Sequence, residues 1–192
     1  MTDVQTAIAA ERTDLVAVLR NLSADDWNRT TLCEGWRVRE LVAHIVMPYR
    51  YSTPRVLKEM LKSRGNFNRM ADRRARADAA ELTPTELTDT LEANIHHQWK
   101  PPGGGYEGAL SHDVIHGLDL TVALGINRHV PLDRLRIVLA GANPKHLKYF
   151  GVDLTGLQLQ ATDLDWTLGA GEVVEDTAEN LLLRISGRRL PA

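Results

Sequence analysis

Apolar side chains recur at every third or fourth position through most of residues 3–150, with charged residues between them, which is the spacing of amphipathic helices. The pattern predicts one helix from about Asp3 to Leu22 and a second from about Val38. A shorter segment begins at Pro54 and ends at Gly65, because proline suits the start of a helix and glycine its end. These segments predict a bundle of helices around a common core.

Start signals place the next helix and the loop that follows it. Thr83, Pro84 and Glu86 have the spacing of a capping box with proline in the first helical position, and they predict a helix to about Trp99. The glycine-rich loop at residues 100–105 lacks the preceding strand and the following Lys-Ser/Thr pair of a phosphate-binding loop. We therefore expect a flexible loop at the mouth of a pocket.

The last third of the chain changes its pattern. One helix is predicted from about Tyr106 to Leu124, and another from Pro131 to about Phe150. Apolar and polar residues then alternate between residues 152 and 168, and this period of two predicts strands. A helical pattern returns over residues 177–187. The chain should therefore end in a strand hairpin followed by a helix.

A chain of 192 residues is long enough for one well-packed domain with a small appendage. We expect a mainly α (α+β) fold, with a helical bundle over residues 1–150 and a small α+β appendage over residues 151–192. The single cysteine, Cys33, excludes an internal disulfide and fits a reducing compartment.

Charge and terminal sequence narrow the possible partners. The net charge of -2 and the sequence pI of about 6.4 provide no basic surface for nucleic acid or an anionic membrane. The N-terminal segment lacks the basic flank and unbroken apolar stretch of a secretory signal. We therefore expect a cytoplasmic protein, a monomer or a homodimer, that binds neither nucleic acid nor membrane.

Two histidines in the Tyr106–Leu124 helix are the strongest candidates for chemistry. His112 and His116 are four residues apart, so they lie about 40° apart on one helix face and both imidazoles can reach one ion. A tetrahedral or five-coordinate metal needs a further donor from elsewhere in the chain. His44 is the candidate, because it lies at the edge of the apolar stripe of the second helix.

Histidines at this spacing also occur on ordinary solvated helices, so the surrounding residues decide between the two interpretations. The neighbours of His112 and His116 favour a metal site, because two solvated histidines would be out of place in this apolar run: Ala109, Leu110, Val114, Ile115 and Leu118. Asp119 lies on the same stripe, within about 20° of His112 on a helical wheel. Its carboxylate could orient an imidazole, bind the metal, or be a surface acid late in the helix.

The remaining sulfur and imidazole side chains have simpler interpretations. Cys33 has no partner cysteine and lies beside a tryptophan, so it is expected to be a small buried hydrophobe rather than a resolving thiol. His96 and His97 lie near a predicted helix end and receive no ligand role. His129 and His146 are expected at the surface.

The histidine motifs resemble those of the mycothiol-dependent maleylpyruvate isomerase family, part of the DinB-like metalloenzyme superfamily. The first motif is Thr31-x-Cys33-x-Gly35-Trp36-x-Val38-x-x-Leu41-x-x-His44, and the second is His112-x-x-x-His116-x-x-Asp119-Leu120. The segments LQLQATDLDWTLGAGE and AENLLLRISGR are similar to the C-terminal appendage of that family. The resemblance implies a four-helix bundle with a long crossover that holds a divalent metal, usually zinc, between helices at one end.

The resemblance also implies an activity. The isomerase itself binds metal through His, Glu and His, whereas this chain has His44, His112 and His116, like relatives that use three histidines. This difference favours a broader thiol-dependent transferase or isomerase role over maleylpyruvate isomerisation itself. Three neutral imidazoles leave an open position on the ion, where mycothiol could bind as thiolate and attack a small electrophile. Asp119 would support one imidazole.

Two other functions remain open at this point. A metal-bound water could act as the nucleophile, which would make the protein a hydrolase. Alternatively, the bundle could bind metal or ligand without catalysis, with the Gly103–Gly105 loop as its lid.

Overall fold

The computed structural model describes residues 3–190. Its helices are α1 (Val4–Arg20), α2 (Val38–Arg50), α3 (Thr53–Lys62), α4 (Phe67–Glu81), α5 (Pro84–Glu92), α6 (Gly105–Leu124), α7 (Leu132–Ala140), α8 (Pro144–Phe150) and α9 (Ala178–Ile185), with a 3-10 turn at Asp26–Asn28. Its strands are β1 (Leu157–Ala161), β2 (Thr167–Gly169) and β3 (Glu172–Asp176). The predicted mainly α fold with a small C-terminal sheet is confirmed.

Four of the helices form a bundle, because α1 contacts α5 and α6 and α2 contacts the same two helices. Each of the four contributes a fully buried leucine to one apolar cluster: Leu15, Leu41, Leu87 and Leu120. The connection from α2 to α5 runs through α3 and α4, and α4 packs against α2. Within residues 3–190, no helix combines the length and the apolar character that crossing a bilayer requires.

The C-terminal segment packs directly against α6. β1 is the central strand of its sheet, antiparallel to β2 and parallel to β3. Leu159 of β1 and Leu181 of α9 belong to the same buried cluster as Leu110 and Leu118 of α6. The hairpin of β1 and β2 matches the predicted pattern, whereas the parallel pairing of β3 was not predicted. The appendage thus buttresses the helix that carries His112 and His116.

The predicted helix starts agree with the observed ones where a local cap defines them. Thr83 and Glu86 make both hydrogen bonds of the capping box at the start of α5. Thr177 caps α9 by accepting a hydrogen bond from the amide of Asn180. Both caps satisfy amide groups that would otherwise be left without an intrahelical partner.

Two predicted helix ends are wrong. The helix expected to reach Trp99 stops at Glu92, because the carbonyls of the following turns accept hydrogen bonds from Arg12 of α1 instead of continuing the helix. The helix expected to run to Phe150 is interrupted between α7 and α8. Asn143 caps α8 through its side chain there, and Pro144 follows as the first helical residue.

Candidate metal centre

Three histidine rings meet where α2 packs against α6. His44 comes from α2, and His112 and His116 come from successive turns of α6. The ring centroids are 5.1 Å apart for His44 and His112, 5.0 Å for His44 and His116, and 4.8 Å for His112 and His116. One nitrogen of each ring lies within 4.8 Å of the other two. The structure therefore brings together the three imidazoles that the sequence singled out.

The closest approach in this cluster is between two ring nitrogens. Nε2 of His44 lies 3.3 Å from Nε2 of His112. Zinc–imidazole bonds of about 2.0–2.1 Å in a tetrahedral site place two ligand nitrogens about 3.3 Å apart. The pair is therefore spaced as two corners of such a site, with His116 beside them.

Both α6 histidines have their other ring nitrogen engaged by a carboxylate. Nδ1 of His112 lies 2.9 Å from Oδ1 of Asp113, and Nδ1 of His116 lies 3.0 Å from Oδ2 of Asp119. An ionised carboxylate only accepts hydrogen bonds, so each Nδ1 carries the proton and each Nε2 keeps its lone pair. This is the tautomer that a metal ligand bound through Nε2 requires.

Each of these two carboxylates pairs with a different arginine. Arg12 of α1 donates from Nε to Asp113 at 2.8 Å. Arg188, which follows α9, donates from Nε and Nη2 to the two oxygens of Asp119, both at 2.8 Å. Burial alone would raise the pKa of Asp119, but its hydrogen bonds with Arg188 and His116 lower the pKa below its ordinary value. The carboxylate is therefore ionised at neutral pH.

His44 is held differently. Its ring packs against Trp36, with centroids 4.9 Å apart, and the indole of Trp36 donates to Asp72 at 2.8 Å. Its Nδ1 is buried and has no hydrogen-bond partner among residues 3–190. Burial, and then the nearby imidazoles of His116 and His112, keep the pKa of His44 well below its ordinary value. Packing rather than a carboxylate orients this ring.

Two of the three histidines, His44 and His116, are predisposed to be neutral. Burial lowers the pKa of His116, even though its hydrogen bond with Asp119 acts in the opposite direction. A neutral imidazole with a free Nε2 is the form that binds divalent metals. The three imidazoles are close enough together for one divalent ion to be held between them.

Cys33 lies closer to this centre than the sequence indicated. Its sulfur is within 4.8 Å of one ligand atom each of His116 and Asp119, and the side chain is half-buried. Burial, followed by the negative charge of Asp119, raises the pKa of Cys33 to about 11. The thiol is therefore protonated at neutral pH in the protein without metal.

Sequence reasoning missed three residues of the centre. Asp113 follows His112 directly and could have been noticed, although adjacent residues on a helix normally point apart. Arg12 and Arg188 gave no signal, because only the tertiary fold brings them to the two carboxylates. Asp119 was placed near His112 on the helical wheel, but it contacts His116 instead.

The other histidines lie apart from this cluster. His96, His97 and His129 are exposed, and His146 is half-buried on α8. The exposed ring of His97 contacts Tyr49, with centroids 5.1 Å apart.

Comparison with known proteins finds a family match for part of the chain. Residues 8–97 match the family described as the mycothiol maleylpyruvate isomerase N-terminal domain. The match confirms the resemblance that the histidine motifs predicted, and it includes His44 but ends before His112 and His116.

Two solved structures share the fold. The crystal structure of the mycothiol-dependent maleylpyruvate isomerase superposes with a TM-score of 0.61 at 15% identity, over 97% of this chain and 88% of that chain. A histidine-to-alanine mutant of that isomerase gives a TM-score of 0.57 with the same identity and coverage. No curated protein matches this chain. The likeness extends over both the helical bundle and the C-terminal appendage.

Proposed function

We propose that this protein is a mycothiol-dependent transferase or isomerase in which His44, His112 and His116 bind a divalent metal, zinc being the expected ion. The observation that carries the proposal is the 3.3 Å separation of Nε2 of His44 and Nε2 of His112, beside a third imidazole. Two of these rings have their Nδ1 atoms engaged by carboxylates, so their Nε2 lone pairs are directed elsewhere.

The family match of residues 8–97 supports the choice of thiol. The family description and the structurally similar isomerase both name mycothiol, and that isomerase shares the fold over 97% of this chain. Cys33 has a pKa of about 11 in the metal-free protein, which leaves little thiolate at neutral pH. The reacting sulfur is therefore proposed to come from the small thiol.

The residues of the centre have distinct roles in this proposal. His44, His112 and His116 would hold a divalent ion, whose positive charge would lower the pKa of an incoming thiol. Asp119, held by Arg188, keeps Nε2 of His116 available as a ligand. Trp36 and Trp99 pack against His44 and His112 and limit the access of water to the rings. The thiolate would attack a small electrophile held beside the metal.

The decisive experiment combines metal analysis with thiol binding. The protein, purified without a His-tag or added metal, should contain about one equivalent of divalent metal. Mycothiol should bind to this form and bind at least tenfold more weakly after chelation. A protein that takes up no zinc, or binds mycothiol equally well without it, would contradict the proposal.

Turnover assays distinguish the alternatives. Electrophile consumption that requires thiol supports the proposed enzyme, whereas equal turnover with buffer alone indicates a hydrolase that uses bound water. Metal binding without turnover across a broad panel of electrophiles indicates a binding protein.

A cytoplasmic location, which the single cysteine indicated, is also part of the proposal.

A further inference from the structure

A buried ion pair connects α1 to the ring of His112. The side chains of Arg12 and Asp113 are both 0% exposed, and Nε of Arg12 lies 2.8 Å from Oδ2 of Asp113. The other oxygen, Oδ1, lies 2.9 Å from Nδ1 of His112. Each carboxylate oxygen thus has one partner, and the plane of the carboxylate is fixed between the guanidinium and the imidazole.

We propose that Arg12 is a positioning residue for the centre, acting on His112 through Asp113; this inference rests on the proposed metal site. A carboxylate hydrogen-bonded to a ligand histidine fixes the tautomer of the ring and increases the basicity of the ligating nitrogen. Arg12 stabilises Asp113 in this position, because a buried carboxylate without a positively charged partner is strongly unfavourable.

The guanidinium of Arg12 also holds the segment of the chain that precedes Trp99. Nη1 of Arg12 donates to the carbonyls of Asn94 and Ile95, both at 3.2 Å, and of His97 at 2.9 Å. Two residues later, the ring of Trp99 packs edge-on against His112, with centroids 5.3 Å apart. Arg12 therefore restrains His112 through the carboxylate and also through the turn that precedes Trp99.

The neighbouring residue on α1 provides a matched control. Glu11 is also 0% exposed, and it accepts hydrogen bonds from Arg128 at 2.6 Å and from Arg134 at 2.8 Å. None of the interactions described for Glu11 involves a histidine of the centre. Glu11→Gln and Asp113→Asn each replace one buried, arginine-paired carboxylate by an amide of the same shape, so both should destabilise the fold. Only Asp113→Asn changes a partner of a proposed ligand.

Cobalt(II) binding to the purified, metal-stripped protein tests the inference directly. Asp113→Asn and Arg12→Gln should each weaken cobalt binding by about 10–100-fold, the range found when partners of ligand histidines are removed. Arg12→Lys should recover part of this loss, because it restores the charge but not the fork that holds the carbonyls. Glu11→Gln should bind cobalt within about threefold of the unmodified protein. Unchanged affinity in Asp113→Asn, or an equal loss in Glu11→Gln, would overturn the inference.

A second measurement needs neither metal binding nor activity. Nitrogen-15 NMR of the metal-free protein should show His112 protonated on Nδ1, and Arg12→Gln should shift the ring towards the Nε2-protonated tautomer. His112 protonated mainly on Nε2 in the unmodified protein would refute the role of Arg12. If the unmodified protein bound no cobalt, the proposed function would fail, and this tautomer measurement would still decide whether Arg12 and Asp113 control the ring.

Discussion

Nε2 of His44 lies 3.3 Å from Nε2 of His112, although 68 residues separate them in the sequence. Because Asp113 engages Nδ1 of His112, the Nε2 of that ring carries a lone pair directed at His44. Nε2 of a neutral His44 can donate its proton to this lone pair, and a bound cation would take the place of that proton. The packing of α2 against α6 therefore maintains an arrangement that a bound cation would stabilise.

Replacing His116 should remove the metal site without unfolding the bundle. His116→Ala deletes one of three donors, and the two that remain are too few for tight zinc binding. We expect the metal content, measured by inductively coupled plasma mass spectrometry, to fall from about one equivalent to a small fraction of that value. His96→Ala is the control, because this exposed histidine should not affect metal content. Full metal occupancy in His116→Ala would contradict the assignment.

Replacing Arg188 should affect both stability and metal binding. Arg188→Gln leaves the carboxylate of Asp119, which is 0% exposed, without its bidentate partner. Breaking one half of such a buried pair costs about 3–5 kcal/mol, to be measured as a loss of unfolding free energy in urea. Zinc affinity should fall roughly tenfold, because Asp119 would no longer be held against His116.

The control for Arg188 lies on α9, the helix that precedes it. Arg184 is exposed, so Arg184→Gln should change the unfolding free energy by less than about 0.5 kcal/mol. An equal loss of unfolding free energy in Arg188→Gln and Arg184→Gln would show that removing any positive charge from α9 or the following residues destabilises the protein. The ion pair with Asp119 would then not be the cause.

Local sequence signals were sufficient for much of the fold. The capping box at Thr83 and the start of α2 at Val38 agree with the structure, because both depend on residues within one or two turns. The end of α5 at Glu92 was not predictable in this way, since the carbonyls beyond it are taken by Arg12 from a distant helix. Hydrogen bonds between distant segments produce no periodic pattern in the sequence, so they cannot be predicted from it.

In the candidate centre, too, local features could be predicted from the sequence and tertiary contacts could not. The spacing of His112 and His116 is a property of one helix, and it could be deduced before the fold was known. Family resemblance supported His44 as the third ring, because nothing local links it to the pair. The arginine partners of the two carboxylates became visible only in three dimensions. Asp119 contacts His116 because it lies about one helical turn from that residue and about two turns from His112.

The thiol of Cys33 should react slowly in the native protein. Its pKa of about 11, compared with an ordinary value of 9.0, makes its thiolate fraction at pH 7.5 roughly 100-fold smaller than that of an exposed cysteine. Alkylation by iodoacetamide, followed by mass spectrometry of the metal-free protein, should be slower by at least two orders of magnitude than in urea-unfolded protein. Rapid native labelling would show that Cys33 is a reactive thiol that the proposed mechanism omits.

Acidification should destabilise the metal-free protein at pH values where the carboxylates are still ionised. The pKa values of His44 and His116 lie below the ordinary value of 6.5, mainly because of burial, and those of His97 and His146 are shifted in the same direction. Below pH 6.5 the unfolded chain therefore binds more protons than the folded one, so the unfolding free energy decreases as pH falls. Above pH 7.5 these residues are neutral in both states and contribute no slope.

Urea denaturation of chelator-treated protein between pH 7.5 and 5.5 tests this expectation. Each histidine that stays neutral in the folded protein should contribute a loss of about 1 kcal/mol over this interval. His44→Gln should have a shallower pH dependence by about that amount, whereas His96→Gln, which alters an exposed ring, should not change the slope. A pH profile that is flat in the unmodified protein, or identical in His44→Gln, would show that the ring of His44 is not held in its neutral, metal-ready form.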